Sequence, residues 1–447
     1  MKSQNSSEPR ISGYLPGERP PIGKMLIFAL QQLVVIFPAT VLVALITGFD
    51  IATTIFASGF ATIVFTLVTR GKLPLYFGSS FSYISAIAAL LAQRAVEADG
   101  IQIAQFGIIC SGLISIIAGL IINKFGEKLI NRILPPIVTG SVAAVIGLSL
   151  AGSTINNLVG NYSDIGRGGA NFLVSNLHLV AGVITLAAII VFSVKLKGIA
   201  AQIPILLAVA VGYASAVILG LIFKVNVVDF SGIRDAKFVA LPGFSLPKFS
   251  PLALLAITPI AIATIPESSA HLFQIDTYIS RIAKEKGVKD PNIKKHLGLN
   301  LIGDGVADIA ASVFGGPGGT SYGEHISTMS LTKNFSVATV VTTAIFAIIV
   351  SFSGILSQVI YSIPAGVVGG LSIFTFGMIA VQGFQILIEN KVDLFDVRNI
   401  AIIAVIFIVG LAPSVPIFGF QAPSIATAAI AGIVLSLILS PGKKKSN

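Results

Sequence analysis

Charge is scarce in this chain. Asp, Glu, Lys and Arg make up only 11% of its 447 residues, against roughly 25% in ordinary globular proteins. That is too little to coat the water-facing surface of a soluble protein, which at this length would hold about three domains. Cysteine is nearly absent: Cys110 alone, in an apolar stretch, excludes an intrachain disulfide and says nothing of compartment. No Cys/His cluster has metal-ligand spacing, and no nucleophile lies beside a base in a soluble-looking segment, so neither a metal site nor an enzyme is expected. The polar start, Met1 to Pro21, carries no short apolar region of the signal-peptide kind, so the first span is expected to insert and stay.

What is present is apolar sequence, 54% of the chain, in runs long enough to cross a hydrocarbon core, which takes about 20 helical residues. Eleven runs are read at 25–47, 51–69, 103–123, 133–152, 176–194, 199–223, 252–275, 335–356, 364–387, 398–411 and 423–440. Three shorter ones, at 81–93, 298–314 and 326–333, bring the count to fourteen crossings. With the N-terminus in the cytoplasm, 23 of the 29 basic residues fall on cytoplasmic loops, as the positive-inside rule requires. The other six are Arg94, Arg167, Lys224, Arg234, Lys237 and Lys248. The net charge of +10 is therefore a topology signal, and nucleic-acid binding is discarded.

The spans also repeat. Pro38 of LQQLVVIFPAT recurs 228 residues on as Pro266 before Glu267, and Pro135 with Val138 and Gly140 recurs 229 residues on as Pro364 with Val367 and Gly369. Chance is the alternative, because Pro and Gly are frequent in membrane helices. Seven spans per half is an odd number, so true halves would be inverted in the membrane. In corresponding places lie two Gly-, Ser- and aromatic-rich interruptions, PLYFGSSFSYIS (74–85) and FGGPGGTSYGEHIS (314–327). Non-helical backbone at membrane depth must be buried in protein or line a cavity, so these are read as two short strands that could pair at a substrate site. The glycine run of the second lacks the Lys-Ser/Thr of a phosphate loop.

Four ionisable residues within these apolar runs and breaks stand out: Glu267, His271, Asp304 and Glu324. Such a residue costs about 2.5–3.5 kcal/mol to insert and marks a site or pathway by default. Taken singly, each is also open to the reading that neighbouring helices merely satisfy it. Glu267 and His271 are i and i+4 on one helical face, just after Pro266, within reach of a mutual hydrogen bond, and a carboxylate beside an imidazole in low dielectric suits proton binding and release. Asp308 and Asp276 are read as structural, His178 and His296 as interfacial.

At these residues the chain resembles the nucleobase-ascorbate transporter family, bacterial uracil and xanthine permeases in particular. The resemblance covers nearly the whole chain and is most specific at Glu267 with His271 and at Thr320 to Lys333. It implies an all-α polytopic membrane protein of fourteen spans in two inverted seven-span repeats, with the short strands in the third and tenth spans. It also implies a cytoplasmic N-terminal tail (1–24), a core domain (25–125 and 252–357), a gate domain (126–223 and 358–440), an extracellular loop (224–251) and a basic cytoplasmic tail (441–447). Carried over by resemblance, Ala39, Phe81, Glu267, Gly323 and Glu324 form the substrate site. His325, also counted among the substrate-binding residues, stands where the family has an asparagine tied to purine selection, and Gln31-Gln32 where it has Gln-His. By the same resemblance His271 and Asp304 join Glu267 in proton coupling.

The chemistry agrees with that reading. A nucleobase edge alternates N–H and C=O groups: two carboxylates accept the former, strand N–H groups donate to the latter, and Phe81 or Tyr322 covers a ring face. The expected function is uracil import with a proton, in a prokaryotic plasma membrane, without a cofactor. A xanthine or urate permease is the alternative; an anion carrier or channel of related architecture ranks below it. A homodimer is implied by the resemblance alone.

Overall fold

The apolar runs fold as helices because, away from water, only the i→i−4 ladder satisfies every backbone N–H and C=O within one segment. The computed structural model describes residues 13–91, 99–126, 134–159, 170–198, 200–417 and 420–439. The expectations for Lys2, Arg10, Arg94, Lys128, Arg132, Arg167 and the tail 441–447 fall outside them. In chain order the first half holds α1 (Ile22–Thr47), α2 (Ile51–Val68), β1 (Phe77–Ser79), α3 (Ile84–Leu91), α4 (Gly100–Phe125), α5 (Pro136–Ser149), α6 (Ala151–Val159), α7 (Ala170–Lys195) and α8 (Pro204–Phe223). A short helix α9 (Ser231–Arg234) lies in the connection. The second half holds α10 (Pro251–Ala256), α11 (Ala261–Lys286), α12 (Leu297–Val313), β2 (Gly319–Ser321), α13 (Gly323–Thr332), α14 (Val337–Ser351), α15 (Gly354–Tyr361), α16 (Ala365–Glu389), α17 (Val397–Leu411), β3 (Val415–Ile417), β4 (Phe420–Ala422) and α18 (Ser424–Leu439). Among the described residues eight helical segments are long and apolar enough to cross a membrane, and four more are apolar but shorter.

Two bodies of packing are visible. In one, α4 lies on α12, α2 on α14 and on α12, and α1 on α14. There the backbones come close: a Cβ at Gly112 would stand 2.6 Å from the Gly305 carbonyl, and one at Gly119 2.5 Å from that of Gly298. Small residues permit such contact, which replaces the hydrophobic drive that lipid cannot supply. In the other body α16 packs on α5, α6 and α7, α7 on α8, and α17 on α18 and α5.

β1 and β2 pair antiparallel, with Phe77 opposite Ser321, Gly78 opposite Thr320 and Ser79 opposite Gly319. Gly78 is required there, because the Tyr322 ring lies where a side chain would project. A second antiparallel pair, β3 with β4, adds to the two strands expected; it lies in the connection between α17 and α18, where Pro413 follows the end of one helix and Pro423 precedes the start of the other. Within the N-terminal segment, residues 13–18 are docked on the body. Tyr14 bridges Asn334, its N–H donates to the Lys333 carbonyl at 2.8 Å, and Glu18 pairs with Lys286 at 2.6 Å. The loop 224–251 is likewise strapped down: Gln105 donates to the Ser245 and Ser312 carbonyls, the Ala240 N–H donates to Phe352, and Phe244 packs on Phe56 at 5.0 Å.

Candidate functional site

Pro38 and Pro266 both sit inside helices, α1 and α11. Each withholds an N–H from the ladder and loosens the turn before it. Ala39 and Thr40 follow the first, Glu267 and Ser268 the second. These two helices flank the strand pair, whose following helical segments, Phe81–Tyr83 running into α3, and α13, begin at the site. A helix start leaves its first N–H groups without intrahelical partners and favours negative charge. Glu324 lies in the first turn of α13.

The groups that converge are only partly exposed, in the middle of an otherwise buried region: Phe81, Glu267, His271, Gly323 and Glu324. The Glu267 carboxylate accepts the Ser82 hydroxyl at 3.1 Å and the Ser80 hydroxyl at 3.5 Å. Glu324 lies within Coulomb reach of Glu267. His271 Nδ1 meets the Ser321 hydroxyl at 3.2 Å, and its Nε2 lies 3.2 Å from where a Gly323 Cβ would stand. Phe81 meets Phe376 of α16 edge-on at 6.5 Å, so it bridges the two packing bodies. Ala39 is buried in α1. The ion pairs found among the described residues all lie elsewhere.

Other residues singled out from the sequence are buried beside this group. Tyr322 is 5% exposed: its hydroxyl bonds Thr40 at 2.9 Å and its ring stacks on Tyr76 at 6.3 Å, so it braces the strand pair against α1. His325 is fully buried, its ring 5.7 Å from that of Tyr76. Asp304 bonds Ser268 behind α11. Asp308, read as structural, accepts the Gly319 N–H at 2.7 Å and the Tyr83 hydroxyl at 3.1 Å, which ties both strand segments together. The mutual bond open to Glu267 and His271 is not formed. Each has a nearer hydroxyl partner on a different strand segment, Glu267 beside β1 and His271 on β2. Sequence reading named neither Ser80, Ser82 and Ser321 nor Thr40 as site residues; the alternating serines of GSSFS were the available signal.

Two cavities lie apart from these groups. One of about 430 Å³ is lined by Thr47, Asp50, Asp99, Gln102 and Ser245 among others. The other, about 270 Å³ and apolar, separates α1 from α8 and α16 at Val41, Leu45, Leu206 and Val367.

Comparison with known proteins accords with this arrangement. A family model described as a permease family matches residues 23–417. The chain is 34% identical to the uracil permease of Bacillus caldolyticus over 437 residues, covering 96% of this chain and 95% of that one. It is 33% identical to the uracil permease of Escherichia coli K12, covering 94% and 92%. In fold it is similar to the transmembrane domain of a cyanobacterial bicarbonate transporter, with a TM-score of 0.62 at 15% identity over 93% of this chain and 97% of that one. It is also similar to the murine Slc26a9 anion transporter, with a TM-score of 0.64 at 13% identity over 94% of this chain and 68% of that one. Matched by the family model over most of its length and by these permeases over nearly all of it, the chain is a multi-pass membrane transporter, not an enzyme, and belongs to the nucleobase-ascorbate permease family that its sequence resembles.

Proposed function

We propose that this permease carries uracil into the cell together with a proton, by alternating access. The observation that carries the reading is the meeting of Glu267 of α11 and Glu324 of α13, beside the ends of the paired strands. Two neighbouring carboxyl groups suit the two N–H groups of a pyrimidine dione. The N–H groups at the start of α13 suit a ring carbonyl, and Phe81 offers a face. Two acidic side chains are ill suited to an anion, so the anion-transporting structural neighbours inform the fold alone. Relatives named uracil permeases favour uracil over xanthine or urate, which remain the second reading.

In this reading fourteen crossings form two inverted repeats, with β1 in the third and β2 in the tenth. The packing supports it, because contacts exchange in pairs between halves: α4 on α12 answers α2 on α14, α7 on α8 answers α17 on α18, and α7 on α16 answers α17 on α5. The body around α1–α4 and α11–α14 is then the core domain, and that around α5–α8 and α16–α18 the gate. Both termini face the cytoplasm, and the transporter works as a homodimer. Close carboxylates resist double ionisation, so Glu267 is assigned the coupled proton, with His271 and Asp304 assisting. The test is uptake of labelled uracil into proteoliposomes under an imposed proton gradient, with xanthine and urate as competitors. Uphill accumulation blocked by unlabelled uracil and not by the purines is expected; stronger block by xanthine or urate would transfer the assignment to a purine.

A further inference from the structure

Behind the face of α11 that carries Glu267 lies a polar chain that the substrate site does not use. Ser268 is 2% exposed, Asn300 0% and Asp304 5%. The Asn300 side-chain N–H donates to Ser268 Oγ at 2.6 Å, and the Ser268 hydroxyl donates to Asp304 Oδ2. Asp304 Oδ1 has no protein partner among the described residues, although it is buried. The direction of this chain is fixed by chemistry: an amide N–H only donates, so it occupies an acceptor position on Ser268 and turns the hydroxyl proton toward Asp304.

We infer that Asn300 and Ser268 are positioning residues that hold Asp304 Oδ2 as a permanent acceptor and leave Oδ1 as the atom that takes up and releases a proton during transport. This deepens the proton-coupled reading above and rests on it. Ser268 follows Glu267 directly, so the relay joins the proton-accepting atom of α12 to the segment of α11 that holds the substrate carboxylate. The charged groups that act on Asp304 are few. Glu267 on α11 and Asp308, one turn on along α12, lie within Coulomb reach. Of the elements packed on α12, α2 and β2 carry no ionisable side chain, α4 offers Cys110, beside Thr258, and Lys124 in its last turn, and the turn Ile293–His296 carries Lys294, Lys295 and His296, which precede Asp304 along the chain by the first turns of α12. Elsewhere on α11, His271 bonds Ser321, Asp276 accepts the Lys294 N–H, and the remaining charges lie in the last turns. Among the described residues no cation is paired with Asp304, so burial and the Ser268 hydrogen bond together set its hold on a proton.

A hydrogen bond to a carboxylate is about twice as strong as one to a neutral acceptor. Loss of the Ser268 hydroxyl therefore penalises the ionised form of Asp304 more than the protonated one. The experiment uses the full chain in proteoliposomes and follows the infrared C=O band of protonated carboxyl groups through pH steps, without uracil, with Asp304→Asn identifying the component that belongs to Asp304. Ser268→Ala should move the midpoint of that component to higher pH by about one unit, and Ser268→Thr, which keeps a hydroxyl, should restore it. Asn300→Leu, which frees the hydroxyl to turn away, should move it in the same direction. A midpoint unchanged in Ser268→Ala, or no component lost in Asp304→Asn, overturns the relay. Because the band is read without substrate, failure of the uracil assignment would leave this result standing and would appear only in the uptake assay.

Discussion

Asp308→Ala removes a carboxylate that touches both strand segments at once. Its Oδ1 accepts the Gly319 N–H at 2.7 Å, at the start of β2, and its Oδ2 accepts the Tyr83 hydroxyl at 3.1 Å, in the turn after β1. Asp308 is 1% exposed and Tyr83 is fully buried, so water does not replace the lost oxygens. A buried donor left without its acceptor costs about 1–3 kcal/mol. Gly319 bears that cost in full, whereas Tyr83 keeps the Ser111 hydroxyl at 2.9 Å and loses less. Relief from desolvating the carboxyl group offsets part of the sum, which leaves a net loss of about 1–3 kcal/mol. Asp308→Asn retains an oxygen toward Gly319 and should lose less than half as much. The damage is local to the strand register, so uracil binding should fall more steeply than helix content. Thermal unfolding of purified protein, followed by helix circular dichroism with and without uracil, measures both. An Asp308→Ala protein that melts with the native one and is stabilised equally by uracil would refute the claim that this carboxylate holds the site together.

Three further outcomes follow from the same geometry. Glu324→Ala should abolish the thermal stabilisation by uracil while the unliganded protein stays folded, because Glu324 is partly exposed at the start of α13; retained stabilisation would place the site elsewhere. His325→Asn should change the ranking of competing bases more than the uptake rate, because His325 reaches the site only through Tyr76 and Tyr322; identical competition profiles would show that this aromatic contact does not bear on selection. The Glu18 clasp should be sensitive to pH. Burial disfavours its charge, but the hydrogen bonds from Lys286 and the Leu15 N–H outweigh that and lower its pKa below the ordinary 4.5. Its contribution, no more than about 1 kcal/mol for so exposed a pair, is therefore present above that value and lost as pH falls through the lowered one. A Glu18→Gln protein should show a smaller loss of stability between neutral and acid pH than the native chain, and equal losses would remove the clasp from the acid response.

Much of this architecture was legible in the sequence because lipid leaves few choices: apolar length gives the helices, and a Gly- and Ser-rich break in such a run must be buried strand. The run at 298–314 became α12 with ends within a residue, and FGSS and GTSY supplied both paired strands. Partner choice was less legible. Glu267 and His271 share a helical face, yet each bonds a serine that is remote in sequence, because short hydroxyl side chains on the strands reach them first. The docking of residues 13–18 and of the loop after α8 was not legible, since the β-bridge to Asn334 and the Gln105 bonds to Ser245 and Ser312 depend on backbone groups that no residue type announces. Asn300 and Ser268 were passed over for the same reason: neither is ionisable, and their importance lies in what they hold.

The central claim, that a proton enters with each nucleobase through the site at Glu267, is tested most directly by measuring internal pH in lightly buffered proteoliposomes when uracil is added outside. The native chain should acidify the lumen as uracil enters. Glu267→Gln, which mimics a permanently protonated acid, should exchange labelled uracil for unlabelled uracil without acidification and without uphill accumulation. Uracil entry by the native chain with no change in internal pH, or gradient-driven accumulation by Glu267→Gln, would contradict the account.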